Sequence, residues 1–139
     1  SRAVFEAFWS DDPIHALMHG PTYMGNALAC AAANASLDLF ESEPRLLQAA
    51  EIGKKLAVGL GPCLALPGVR DVRVRGAIGV VELQQIGDMN ALKAALIDEG
   101  VWIRPFRNIV YLTPALTIGD DDLQTLTGAI HAVLSRGPF

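Results

Sequence analysis

Little in this chain points to a strongly charged partner or to a covalent scaffold. Its two cysteines, Cys30 and Cys63, give neither a disulfide framework nor a metal-binding spacing. Basic residues are scarce: 11 Lys and Arg against 15 Asp and Glu leave a formal net charge of −4. That is the opposite of the clustered positive surface nucleic acid requires. No apolar run approaches the ~20 residues that span a bilayer, and the first residues lack the basic segment and apolar stretch of a secretion signal. Charged residues make up 19% of the chain, too few for disorder, while 51% hydrophobic content and a mean hydropathy of +0.32 supply a core. The 139 residues amount to about one domain. Reduced thiols fit a cytoplasmic setting, and Cys30, set in an alanine run, reads as a small buried thiol.

What is present reads as alternating helices and strand pairs. Val4, Phe5, Phe8 and Trp9 give residues 1–9 an apolar helical side in need of a partner surface, and Asp11, Asp12 and Pro13 break it. The alanines and leucines of residues 24–40 favour helix. A second helix starts near Pro44, carries Leu46, Leu47, Ala50, Leu56 and Leu60, and ends at Gly61-Pro62. "GVRDVRVRG" and "IGVVELQ" read as an antiparallel pair. Asp88 caps a helix with Leu92, Leu96 and Ile97 that closes at Gly100. "VWIRPF" and "IVYLTP" read as two further strands around an Arg107-Asn108 turn, followed by a helix from Asp120 through Leu123, Leu126, Ile130 and Leu134. Paired strands with helices on one face make an α+β domain.

The segment "HGPTYM" stands before the alanine-rich helix. Helix starts leave N–H groups unpaired and attract anions; Gly20 admits a ligand close to the backbone, Pro21 stiffens the turn and Thr22 supplies a hydroxyl. A loop with Thr22 as helix cap explains the same residues. His19 has no identifiable carboxylate partner.

The stretches "HGPTYMGNALACAAANASL", "DVRVRGAIGVVEL" and "GVWIRPFRNIVYLTP" resemble, in order and spacing and over nearly the whole chain, the C-terminal part of the class III, fold type I aminotransferases that use pyridoxal phosphate. "GVWIRPF" resembles most the branch that serves biotin synthesis, which moves the amino group of S-adenosylmethionine onto 8-amino-7-oxononanoate. The resemblance implies a homodimeric parent enzyme, with residues 1–18 a tail of its large domain and 19–139 its C-terminal small domain. It implies that Pro21 and Thr22 line the cofactor phosphate across the subunit interface, that Gly20 lies against substrate, and that Arg104 pairs with a substrate carboxylate. Phe106 and Tyr111 read as pocket wall or core. Three departures stand out: Ala27 where Pro is frequent, Arg107 where Gly is frequent, and a less aromatic "TPALTI".

The Schiff-base lysine has no counterpart here. Lys54, Lys55 and Lys93 fall on polar helix faces, so the chain reads as a part cut after the catalytic lysine, inactive alone and retaining no cofactor. Two other readings stay open: an aminotransferase for ornithine or aminobutyrate, and an α+β interaction module without chemistry. Mixing this chain with pyridoxal phosphate and reducing with borohydride should label no single lysine stoichiometrically. A specific adduct would refute the assignment of these lysines to solvent.

Overall fold

The computed structural model describes residues 1–137; Pro138 and Phe139, the end of the expected domain 19–139, lie outside the described residues. The chain forms two compact units, residues 1–42 and a second that begins at Glu43.

In the first unit, α1 (Arg2–Phe8) exposes Val4, Phe5 and Phe8, with the rings of Phe5 and Trp9 stacked at 5.2 Å. Asp12 caps a single 3-10 turn, Pro13–His15, by accepting the Ile14 N–H. The long helix α2 (Ala27–Ser42) starts three residues later than Met24. Tyr23, Met24 and Gly25 have φ of 68°, 46° and 74°, which no right-handed helix accommodates. Asn26, rather than Thr22, caps α2, its side-chain oxygen accepting the Ala29 N–H at 3.0 Å. No side chain of α2 is buried, and Cys30 is therefore exposed, contrary to the reading of it as a buried thiol.

The second unit runs α3 (Arg45–Leu60), a 3-10 turn (Gly61–Ala65), β1 (Val69–Arg75), β2 (Ile78–Leu83), α4 (Met89–Asp98), β3 (Ile109–Leu112) and α5 (Asp120–Ser135). The strands form one antiparallel sheet with β2 in the centre. Strand alternation sends Gly79, Val81, Leu83, Val110 and Leu112 to the buried side, where they join Leu56, Leu60, Leu92, Leu96, Ile130 and Val133 in one core. The other side pairs Asp71 with Glu82, Arg73 with Val80, and Val80 with Tyr111. Helices cover one face, the α+β arrangement expected.

Two local expectations change. Leu46 and Leu47 are 79% and 69% exposed. The inward stripe of α3 is Ile52, Leu56 and Leu60 at four-residue spacing; it continues backwards through Gln48 and Ala49, so 46, 47 and 50 point elsewhere. Residues 101–106 are extended but form no strand. Among the described residues they meet the sheet at a bridge between Phe106 and Ile109, which exchange both backbone bonds around a two-residue turn, and the pairing goes no further along the segment. The sheet has three strands among the described residues, rather than four.

Asp88 caps α4 as expected, accepting N–H bonds from Asn90 and Ala91 at 2.9 Å each. Inside the core, burial pushes the Cys63 thiol up to about 11, so it is neutral at physiological pH. The buried Thr127 hydroxyl donates to the Leu123 carbonyl at 3.1 Å.

Two mid-helix glycines separate packing from propensity. A Cβ on Gly53 of α3 would stand 2.7 Å from the Gly76 carbonyl oxygen in the β1–β2 turn, whereas one on Gly128 of α5 would meet nothing within 4 Å. Gly53→Ala should cost about 1–3 kcal/mol by forcing backbone apart. Gly128→Ala should add about 0.5–1 kcal/mol from helix propensity alone. Urea titration of the pair checks this, and shifts of the same sign would contradict the packing.

Candidate functional site

Val101, Ile103 and Pro105 are buried, while Trp102, Arg104 and Phe106 between them are exposed, Trp102 and Phe106 by 78% and 58%. This is the two-residue period of extended chain. Three apolar side chains pin the segment to the core and the other three are thereby presented on one side. Arg104 lies in a shallow depression of about 280 Å³ with Trp102, Tyr111, Thr113 and Pro114 in its walls. Among the described residues no carboxylate pairs with Arg104.

What holds this segment in place is the turn that ends it. Phe106 and Ile109 exchange both backbone hydrogen bonds, at 2.9 and 3.0 Å, around the two-residue loop Arg107-Asn108. The Asn108 side-chain amide donates to the Leu83 carbonyl at 3.1 Å and to Glu82 Oε1 at 3.3 Å, and the Leu83 N–H donates to the Asn108 carbonyl at 2.8 Å. Glu82 is held in turn by Arg73, whose Nη1 donates to its Oε2 at 2.6 Å, with Arg70 at 3.5 Å. The Arg73 hydrogen bond is the main reason the Glu82 carboxyl sits below its ordinary value of 4.5. Arg107 has φ of 52°, at a loop position where Gly is usual, and costs roughly 1–2 kcal/mol for being anything else. Its guanidinium rests 5.3 Å from the centroid of the Phe106 ring.

Gly20, Pro21 and Thr22 are contiguous and exposed in the first unit; Arg104 belongs to the second. Space around Gly20 is open, since a Cβ there would meet nothing within 4 Å. Thr22 opens a 3-10 turn (Thr22–Gly25), and among the described residues nothing bonds to its hydroxyl. Tyr23 and Met24, consecutive non-glycine residues in the left-handed region, cost about 1–3 kcal/mol each, a strain typical of binding loops. A free hydroxyl, the unpaired N–H groups of a turn and an open glycine chemically fit a phosphate. Lys54 pairs with Glu51 and Lys55 with Asp120, and Lys93 is exposed on α4. Among the described residues no group of His, Cys, Asp and Glu is arranged to hold a metal ion.

Arg104 and its neighbours are visible in "WIRPF"; the Glu82–Asn108 anchor is not, although a carboxylate interrupting "IGVVEL" is its trace. The family model of the class-III aminotransferases matches residues 2–134, and the chain belongs to that family. Among its relatives, the adenosylmethionine-8-amino-7-oxononanoate aminotransferase of Corynebacterium glutamicum is 44% identical over 119 residues, 86% of this chain and 28% of that protein. The solved enzyme of the same description from Methanocaldococcus jannaschii superposes with a TM-score of 0.73 at 26% identity, over 100% of this chain and 34% of its own. An amine transaminase from an uncultivated Pseudomonas species, in its PLP-bound form, gives 0.70 at 29% identity, over 98% of this chain and 33% of its own. The chain thus spans about a third of the length of the relatives it matches.

The anchor has a pH signature. Because folding favours ionised Glu82, its contribution is complete above the unfolded carboxyl value of 4.5 and fades as pH falls through the lower folded value. Glu82→Gln should therefore destabilise the chain at pH 7 and lose that effect in acid, with added salt shrinking it throughout because the pair is solvent-exposed. Parallel denaturation curves of the two proteins from pH 7 to pH 3 test this, and a difference unchanged by pH would remove Glu82 from the anchor.

Proposed function

We propose that this chain is the C-terminal part of a pyridoxal-phosphate-dependent aminotransferase of biotin synthesis. The whole protein would transfer the amino group of S-adenosylmethionine to 8-amino-7-oxononanoate, giving 7,8-diaminononanoate. Membership of the class III family and the names of its relatives support the reaction. The observation that carries it is Arg104: a guanidinium without an ion pair among the described residues, on a segment fastened to the core, in a depression with aromatic walls.

Arg104 would grip the carboxylate that both substrates carry, its planar fork making two parallel hydrogen bonds. Thr22 would donate its hydroxyl to the cofactor phosphate, with the Pro21 backbone shaping that wall, and Gly20 would leave room for substrate. Bound pyridoxal phosphate supplies the electron sink that lets an amino group leave one carbon and join another. The remaining groups would come from the rest of the polypeptide and from the second subunit of a cytoplasmic homodimer, so the isolated chain would neither turn over nor keep the cofactor.

In the full-length polypeptide, Arg104→Ala should raise KM for 8-amino-7-oxononanoate by about ten- to a hundredfold, the worth of a charged hydrogen-bonded pair. Thr22→Val should weaken cofactor retention by about five- to tenfold, read by titration with pyridoxal phosphate. Turnover with ornithine or aminobutyrate but not with S-adenosylmethionine as donor would overturn the assignment.

A further inference from the structure

Arg107 has no part in the function proposed above, yet its setting is unlike that of the other arginines. In the second unit Arg45, Arg70, Arg73 and Arg136 each pair with a carboxylate. Among the described residues Arg75, Arg104 and Arg107 have no such partner, and two of these three flank Phe106. Arg107 also occupies the left-handed region, the conformation that glycine adopts freely. Its guanidinium, exposed to solvent, rests against the Phe106 ring. Phe106 stands on the same exposed side of the segment as Arg104, about 7 Å further along an extended chain. Two cations without a carboxylate partner among the described residues thus flank Phe106 along the chain, one of them against its ring, on a chain of net charge −4.

We propose that Arg107 is a positioning and specificity residue, whose charge, parked on Phe106, draws a substrate carboxylate towards Arg104 and favours carboxylate-bearing substrates over neutral ones. This rests on the reading of Arg104 as the carboxylate grip. Glycine would relax the turn but bring no charge, which accounts for a strained arginine where the backbone suits glycine. Lysine retains the charge and so should retain most of the effect. An exposed charge at this range acts through solvent, so the effect is moderate and screened by salt.

The test uses the full-length polypeptide with 8-amino-7-oxononanoate and its methyl ester as acceptors, at low salt and at about 1 M salt, where screening sets in within about 3 Å. Arg107→Gly should keep or raise Tm, since it removes a left-handed non-glycine residue. It should raise KM for the acid by roughly three- to tenfold at low salt, more than it lowers kcat, leave the ester nearly unaffected, and lose this difference in high salt. Arg107→Lys should restore most of the acid's KM. An unchanged KM for the acid, an equal rise for acid and ester, or a rise indifferent to salt would overturn the proposal. Arg104→Ala separates the two claims. If it raises KM for the acid while Arg107→Gly does not, the role of Arg107 alone falls; if neither variant does, the carboxylate grip falls with it.

Discussion

The reversal at Arg107-Asn108 is the constraint on which the second unit's exposed face depends. Residues 101–106 have no ladder to hold them, because the pairing stops at Phe106. Their position follows from two other sources. Buried Val101, Ile103 and Pro105 hold one side by packing, and Asn108 ties the far end to Leu83 and Glu82 on β2. Extended chain converts that fastening into presentation, since pinning every second side chain leaves the alternate ones facing out. Trp102, Arg104 and Phe106 are exposed because their neighbours are not.

The anchor extends beyond one hydrogen bond. Glu82 accepts from Arg73 as well as from Asn108, and Arg73 also donates to Asp71 at 2.8 Å, so the open face of the sheet carries a connected polar network. Each exposed pair in it is worth little by itself. Their joint effect is to fix which way the Asn108 amide points, and hence where the loop begins. The same loop holds a non-glycine residue at positive φ, a strain that persists only where surrounding contacts over-determine the backbone.

The first unit works by different means. It has no buried side chain in α2, and its distinguishing feature is conformational: three successive residues of positive φ between Thr22 and the helix cap Asn26. Separating the Gly20–Thr22 segment from the helix start in this way leaves the Thr22 hydroxyl unused as a cap. The capping role falls to Asn26.

Most of the elements were legible in the residues. Asp88 and Gly100 bracket α4 because capping and left-handed closure are local events, and β1 and β2 show their period directly. The class of protein was legible through the resemblance of "HGPTYMGNALACAAANASL" and "GVWIRPFRNIVYLTP" to the class III family, while the residue types alone left a capped loop and a surface arginine open. What only the tertiary structure decided are matters of partner. Whether Leu46 and Leu47 or Ile52 face the core depends on which stripe of α3 meets the sheet; whether "VWIRPF" is a strand depends on whether anything receives its hydrogen bonds. Whether Cys30 or Cys63 is buried depends on what covers each. Local chemistry sets the conformations a segment favours, but burial and pairing are properties of two surfaces, and a sequence read along its length presents only one of them at a time.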